Sequence, residues 1–459
     1  MDGYSNMTET AFRTFLSWSN LSFAPHQLEG VEWCIEKEHG GKGGIIADEM
    51  GLGKTILMLA TMSINMVSRT LIILPQSLLQ QWHAEILRTT GHNALIYHKT
   101  NKCKSDLNDA FIVLSTYGTI SYTKKPCPLF GMEWDRIICD EAHHIRNPKT
   151  IRYKCCKMLR SPIWWLMTGT PIHNTSKDIK SLLKLLDVTD ISGNILRRTK
   201  ADVGIPMPSL EKTKICVQWE HHEEREMAKD IHSSLSMLHF QDIGGWSKMH
   251  TGKGAVLVSM LRGRQTCNLP RLLEKAIHDD KQKCENADAP FSMYEYAIQN
   301  GHSKMSAISK HIIERKANGN GKIVFCHFTK EIETLTHTLR ENGVEWVGGW
   351  EDFSKLGSCN TPILILQIQT GCEGLNLQRF SEVYFICPHW NPAIEDQAIA
   401  RCHRIGQQKK VEVFEFVMDA LTPESHIAQC ATDHFSLDKY VLYKQNQKRV
   451  KTDIFFDSI

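Results

Sequence analysis

The chain has 459 residues, 42% of them hydrophobic and 23% charged, room for about three domain-sized units at ~150 residues each and an ordinary balance for a globular protein. No run approaches the ~18 apolar residues of a membrane span, and the start, MDGYSNMTETAFRTF, lacks the basic-then-apolar order of a secretory signal. A net charge of +3 neither demands nor excludes nucleic acid, because a local basic channel can hide in a balanced total. The expected location is the compartment of synthesis or the nucleus. The 15 cysteines are scattered without a CxxC pair, several inside apolar runs (Cys139, Cys326, Cys387). That is the pattern of buried thiols in a reducing compartment, not of a disulfide frame or a zinc site.

In chain order, short apolar runs rich in β-branched residues each end at a polar or Gly-containing turn. The first half holds GGIIA (43–47), TLIILP (70–75), AFIVLST (110–116), DRIICDE (135–141) and IWWLMTGT (163–170), with helix-like patterns such as SLLQQWHAEIL (77–87) between them. Strands alternating with helices predict a parallel sheet covered on both faces. From about 175 to 300 strand signals thin out, and HHEEREMAKDIHSSLSMLHF (221–240) predicts a helix. The first rhythm then returns in GKIVFCHF (321–328), TPILILQI (361–368), EVYFICP (382–388) and VEVFEFV (411–417). The expected organisation is an α/β lobe over 1–200, a helical insert over 201–300 and a second α/β lobe over 301–459. The basic stretch KQNQKRVKTD (444–453) reads as a solvated helix end or a nuclear signal.

Directly after GGIIA stands Asp48-Glu49-Met50-Gly51-Leu52-Gly53-Lys54-Thr55, and then the helical ILMLATMSI. A strand, a Gly-containing loop ending in Lys-Thr and a helix start make a phosphate cradle. Glycines let backbone N–H groups point inward, and the helix N-terminus adds partial positive charge. Lys54 then reaches the β- and γ-phosphates of ATP, and Thr55 holds Mg²⁺. Asp48, Gly51 and Gly53 complete the expected cradle, although GxxxxGK[ST] fails at its first glycine, where Asp48 stands. A tight structural turn is the alternative. A second half-motif favours the cradle: Arg136-Ile137-Ile138-Cys139-Asp140-Glu141-Ala142-His143 ends a strand with paired carboxylates. Asp140 suits Mg²⁺, bound through water, and Glu141 suits polarising the attacking water.

On these motifs, and in the same order over nearly the whole length, the chain resembles the Swi/Snf-type ATPases of helicase superfamily two. The resemblance implies two RecA-like lobes with parallel sheets flanking a helical insert, and an ATP- and Mg²⁺-dependent motor on double-stranded DNA. FAPHQLEG (23–30) is similar to the adenine-reading segment, which makes Gln27 the adenine contact. LPQSLLQQW (74–82) and STYGTI (115–120) resemble first-lobe DNA-contacting segments, and LMTGTPIHN (166–174) the segment coupling hydrolysis to movement. LRRTKADV (196–203) resembles the exit from lobe one and RQTCNLP (264–270) the insert signature. QTGCEGLNLQ (369–378) and DQAIARCHRIGQQKKV (396–411) are similar to the last two family motifs, which makes Arg401 and Arg404 arginine fingers. DEAHHIRNPKT (140–150) and HWNPAIEDQA (389–398) point to the repair-translocase and transcription-termination branch. The chain departs from the family pattern at Ala24 and in the short segment EWVGGWEDFSKLG (345–357), and it carries no RING-type Cys/His series.

Other candidates have plainer readings. Trp82, Trp134, Trp164 and Trp165 sit in strand or amphipathic patterns and read as core. His143 is a candidate γ-phosphate sensor, His144 a packing residue, and Gly371, Gly374 and Asn376 a DNA contact by resemblance. Lys99, Lys102 and Lys104 read as a solvated loop. The expected function is a duplex-DNA translocase that displaces or remodels DNA-bound complexes, such as RNA polymerase, repair or chromatin substrates. A strand-separating helicase and an ATPase-dead DNA-binding scaffold are the alternatives. Expected partners are double-stranded DNA and a recruiting protein or polymerase complex, with no membrane and a monomeric state. The site of action would be the nucleus or another place of DNA transactions, a viral factory or virion included.

Overall fold

The computed structural model describes every residue except Met1, 99–103, 122–126, 173–176, 244–252, 284–290, 349–362, 372–374, 376, 422–435 and 458–459. Its two compact units hold Met1–Met207 and the bulk of Pro208–Arg449.

In the first unit the five expected apolar runs become strands: Gly44–Ile46 (β1), Thr70–Leu74 (β2), Ile112–Thr116 (β4), Arg136–Cys139 (β5) and Ile163–Met167 (β6). Two short strands, Leu95–Ile96 (β3) and Ile195–Leu196 (β7), close the edges. The order is β3-β4-β2-β5-β6-β1-β7, and every pairing is parallel. The central strands β1, β2, β5 and β6 are buried along their whole length. Helices cover both faces, so beyond the first residues Thr70 of β2 and Arg136 of β5 these strands are apolar without alternation.

The alternation appears instead in which core each residue joins. Ile45, Ile73, Ile137 and Leu166 pack with residues of the helices Ile151–Met158 and Lys177–Leu185. Ile46, Ile72, Ile138 and Met167 pack with Phe12, Val31, Leu57 and Trp82 of the helices on the other face. Each such aliphatic side chain, fully buried, contributes ~1.5–3 kcal/mol.

One buried polar knot fixes the helix that carries Gln27, Pro25–His39, to this sheet. Glu38, fully buried, accepts hydrogen bonds from Arg136 Nε at 2.6 Å, Trp165 Nε1 at 2.7 Å and Asn65 Nδ2 at 2.6 Å. Arg136 Nη2 also reaches Glu38 and donates to Asn65 O at 2.7 Å. Removing one member would strand a buried charge, a loss of ~3–5 kcal/mol.

The second unit is a parallel sheet built from Leu210–Val217 (β8), Gly321–Cys326 (β9), Val347–Gly348 (β10), Ile363–Gln367 (β11), Phe380–Phe385 (β12) and Val411–Met418 (β13). The order is β10-β11-β9-β12-β13-β8. β8 corrects the expectation of a helical insert beginning at 201. It runs parallel to β13 over eight paired positions, Leu210↔Val411 to Val217↔Met418. LEKTKICV hides as a strand because it lies at the sheet edge and is largely exposed, so its lysines and glutamate carry no burial signal. Helices follow from His222–Ile243 onward.

The stretch RQTCNLP anchors those helices to the sheet. Asn268 Nδ2 donates to Glu331 Oε1 at 2.7 Å, and Asn268 Oδ1 accepts from Lys304 Nζ at 3.0 Å. Lys304 also pairs with Asp438. The second Glu331 oxygen accepts from the backbone N–H groups of His327 and Phe328 at 2.7 and 3.0 Å. All four polar side chains are buried and mutually satisfied, as a charged core network must be.

Candidate active site

In a parallel sheet the strand C-termini share one edge, and ligands bind beyond it. In the first unit β1, β6 and β5 are neighbours, so the loops leaving them, 47–53, 168–170 and 140–141, stand side by side.

The loop after β1 is shaped by two glycines. Gly51 has φ 95° and Gly53 φ 81°, a region where a Cβ is strained. Gly53 is also the N-cap of the helix Lys54–Ile64, with no side-chain cap, so the first N–H groups of that helix are not claimed by a capping side chain. A Cβ on Gly53 would come within 2.4 Å of Gln27 Nε2. Gln27, the expected adenine contact, therefore packs directly on the loop and is buried. Lys54 Nζ donates to the carbonyls of Asp48 at 2.7 Å and Glu49 at 3.3 Å, which holds the ammonium against the loop. Thr55 follows as the second residue of the helix and is half-buried.

Asp48, expected among the nucleotide-binding residues, is buried (1% exposed), and its carboxylate is gripped by Arg198. Nε donates to Oδ1 at 3.2 Å and Nη2 to Oδ2 at 2.6 Å. Arg198 Nη1 also donates to His26 O. A carboxylate facing phosphates would repel them; here it is neutralised, and only its backbone carbonyl faces Lys54. The LRRTK segment is tied to the same loop by its backbone: Glu49 N donates to Arg198 O at 2.8 Å, and Lys200 N to Glu49 Oε2 at 2.8 Å. The reading of that segment as an exit from lobe one missed this second task.

His26 completes the packing behind the loop. Its Nε2 lies 3.1 Å from Leu52 O, which fixes that nitrogen as the donor. Burial lowers its pKa from the ordinary histidine value, so the ring is neutral.

The loop after β6 approaches closely. A Cβ on Gly169 would lie 2.5 Å from Met50 Cγ and 3.4 Å from Lys54 Nζ. Only glycine lets the TGT turn sit against the phosphate loop. Thr168, wholly buried, donates its backbone N–H to Ile46 O at 3.0 Å.

The acidic pair follows β5. Asp140 is buried, and its carboxylate oxygens, carbonyl and N–H are all engaged. Oδ1 accepts from Glu141 N at 2.9 Å and Oδ2 from Trp82 Nε1 at 2.8 Å. The Asp140 carbonyl accepts from Tyr117 Oη at 2.7 Å, and its N–H donates to Ile73 O at 2.9 Å. Burial, with the Glu141 charge second, pushes its pKa up to about 6. Glu141 adopts φ 49° and ψ 50°, a left-handed conformation costing a non-glycine residue ~1–3 kcal/mol. Such strain at a strand end is a mark of a functional site, and the sequence gives no sign of it. His143 Nδ1 lies 3.2 Å from Glu141 Oε2, while His144 stacks on His143 with ring centroids 4.5 Å apart.

A buried carboxylate and a half-buried one beside one lysine form an oxygen donor set of net negative charge. Mg²⁺ takes one or two protein carboxylates and completes its shell with phosphates and water. The residues present fit that ion, with Asp140 and Thr55 as the groups to hold it.

Several expected contacts are placed elsewhere. Ser115 and Thr116, taken as facing DNA, turn their hydroxyls inward. Ser115 Oγ donates to Tyr97 O at 3.0 Å, and Thr116 Oγ1 caps the next helical turn by accepting from Thr119 N at 3.1 Å. In LPQSLLQQW, Gln76, Ser77, Gln80 and Gln81 are exposed. Trp82, Trp134, Trp164 and Trp165 are all buried. Gly374, Asn376, Lys99 and Lys102 lie outside the described residues, as does most of 345–357.

In the second unit Arg401 ends the helix Pro392–Cys402, and Arg404 stands in the turn beyond it; both are half-buried. The HRIGQ block is a rigid turn around Arg404. His403 Nε2 bonds Pro208 O at 2.8 Å. Gln407 Nε2 lies within 2.8–3.1 Å of the carbonyls of Gln378, Phe380 and Cys402, and Gln407 Oε1 accepts from the N–H groups of Gln408 and Lys409.

A phosphate loop, a TGT turn and an acidic pair on one sheet edge, with a second parallel α/β unit in the same chain, define a helicase-like ATPase. The profile of the SNF2-related domain matches residues 26–194, and that of the helicase conserved C-terminal domain matches 303–406. The chain thus carries an SNF2-related domain followed by a helicase C-terminal domain. It is 26% identical to an ISWI chromatin-remodeling complex ATPase of Saccharomyces cerevisiae, over 96% of this chain and 42% of that protein. It is 25% identical to the probable global transactivator of Orgyia pseudotsugata multicapsid polyhedrosis virus, over 94% of this chain and 91% of that protein. A human SWI/SNF-related matrix-associated actin-dependent regulator of chromatin, subfamily A member 1, is 26% identical over 91% of this chain and 43% of its own length. The chain thus spans about two fifths of these chromatin relatives. Among solved structures, the Sulfolobus solfataricus SWI2/SNF2 ATPase core in complex with dsDNA aligns over 94% of this chain and 96% of that chain, with 25% identity and a TM-score of 0.40.

Proposed function

We propose that the chain is a motor that hydrolyses ATP while moving along duplex DNA, displacing or remodelling proteins bound there. The observation that carries the reading is the single sheet edge on which the phosphate loop, the Gly169 turn and the Asp140–Glu141 pair converge.

The geometry of the first unit supports the roles given to its residues, and motif resemblance those given to the two arginines of the second. Gln27, packed on Gly53, reads the adenine. The helix N-terminus and Lys54 receive the phosphates. Glu141 orients and deprotonates the attacking water, with His143 beside it to hold the carboxylate. Asp140 and Thr55 would hold Mg²⁺, which when bound would supply charge neutralisation on the transferring phosphoryl group. Arg401 and Arg404 stabilise the charge that builds on that group in the transition state. The track is double-stranded DNA, contacted through its phosphates by the exposed residues after β2.

The relatives named above are chromatin-remodelling ATPases and a viral transactivator rather than members of the repair and termination branch. They support protein complexes on DNA as the substrate, nucleosomes included, in a nucleus or a viral factory. One panel tests the reading: ATPase rate with no nucleic acid, single strands, duplex, RNA and nucleosomes, alongside displacement of a triplex-forming strand and unwinding of a fork. Duplex-stimulated turnover with triplex displacement is expected. Efficient fork unwinding without triplex displacement would overturn translocation in favour of strand separation.

A further inference from the structure

Trp82 looks like an ordinary core residue: it is 1% exposed, on the helix Leu79–Thr90, among Leu78, Leu79 and Ile86. Its one polar atom does something the packing does not require. Nε1 donates to Asp140 Oδ2 at 2.8 Å, across 58 positions of sequence. The other carboxylate oxygen is taken by Glu141 N at 2.9 Å. Two donors from different elements therefore fix both the position and the plane of the carboxylate.

We propose that Trp82 is a positioning residue for the metal–nucleotide complex, acting through Asp140. Carboxylates that ligate metals are held by hydrogen bonds from a surrounding shell, and loss of such a bond weakens metal binding. Without the indole N–H, Asp140 keeps one donor and can rotate about Cα–Cβ and Cβ–Cγ. Glu141 N–H cannot compensate, because it is already committed to Oδ1.

This rests on reading Asp140 as the metal-side carboxylate, and the experiment separates the two claims. The probe is a fluorescent, non-hydrolysable ATP analogue bound to the full chain in Mg²⁺, in Mn²⁺ and in EDTA. Trp82→Phe keeps an aromatic ring and removes the donor; it is expected to weaken binding about tenfold with either metal and to leave binding in EDTA nearly unchanged. Asp140→Ala should show the same metal-selective loss, and adding Trp82→Phe to it should cause no further one. Leu79→Ala, on the same helix and in a side chain with no hydrogen-bond donor, should show no metal selectivity. If Trp82→Phe perturbs folding, benzothienylalanine incorporated at position 82 keeps the bicyclic shape, lacks the N–H, and should give the same selective loss. Equal weakening with and without metal, or a further selective loss in the Asp140→Ala background, overturns the proposal. Selectivity in Asp140→Ala but not at position 82 overturns Trp82 alone. No selectivity in Asp140→Ala removes the metal role of Asp140, and the Trp82 proposal with it.

Discussion

Arg198 meets Asp48 with two nitrogens, Nε on Oδ1 at 3.2 Å and Nη2 on Oδ2 at 2.6 Å, and so joins the end of the first unit to the base of its phosphate loop. Asp48 is 1% exposed, and Arg198 is the cation paired with its carboxylate. Arg198→Ala leaves that charge buried, so a destabilisation of ~3–5 kcal/mol is expected, measured by urea unfolding, together with weaker nucleotide binding. The double variant Asp48→Ala/Arg198→Ala buries no orphan charge and should recover part of the loss. A single variant as mild as the double would show that the pair does not clamp the loop.

Glu141→Gln keeps the size of the side chain and removes the base. Hydrolysis should slow by ~10² or more, with ATP binding preserved. The strained backbone at φ 49° is unchanged by this substitution, so the melting temperature should move little. Near-normal turnover would show that Glu141 does not act on the water.

How far the sequence already shows this depends on where each signal lives. Lys54, Gly53 and the Asp140–Glu141 pair announce themselves, because a phosphate cradle needs those residue types at strand ends. β1, β2, β5 and β6 are legible because burial on both faces makes them apolar apart from Thr70 and Arg136 at the starts of β2 and β5. β8 is not, because an exposed edge strand is chosen for solubility and its hydrogen bonds leave no trace in LEKTKICV. The salt bridge of Asp48 is hidden for a related reason: its partner stands 150 positions away, and position within a motif says nothing about where a side chain points. The same holds for Ser115 and Thr116, whose hydroxyls suit phosphates chemically yet are used within the fold.

The second unit should respond to pH through Glu395 and His389. Burial, with Glu415 adding repulsion, raises Glu395 to about 7, above its unfolded value near ~4.3. Between those values the native state holds a proton that the unfolded state has lost. This contribution to stability therefore falls as pH rises from about 4 to about 7. His389 works in the opposite direction. Burial lowers it to about 4, so the unfolded state binds the extra proton between about 4 and 6.5, and stability there rises with pH. The two slopes oppose each other up to about 6.5, and above it only the carboxylate acts. Glu395→Gln removes the falling limb. Wild type should lose stability relative to this variant by roughly 3 kcal/mol between acid and neutral pH, read from urea unfolding at several pH values. A constant difference across that range would mean Glu395 is ionised in the fold.

Arg401 and Lys54 should fail in different ways. Lys54 meets phosphates in the ground state, so Lys54→Ala should weaken nucleotide binding and turnover together. Arg401 is assigned to charge that develops only as the phosphoryl group transfers. Arg401→Ala should leave nucleotide affinity nearly intact while abolishing DNA-stimulated turnover, because an interaction made only in the transition state lowers kcat without raising the dissociation constant. Gln407 offers a graded version. Its amide holds the turn containing Arg404 through the carbonyls of Gln378, Phe380 and Cys402. Gln407→Ala leaves buried carbonyls short of a donor, a loss of ~1–3 kcal/mol in stability, and loosens the turn. It should lower kcat in the same sense as Arg401→Ala but by less, again with nucleotide affinity preserved. Equilibrium binding of a non-hydrolysable ATP analogue and single-turnover rates on duplex DNA separate these outcomes. Identical losses of affinity in Lys54→Ala and Arg401→Ala would remove the transition-state role from Arg401 and make it a binding residue.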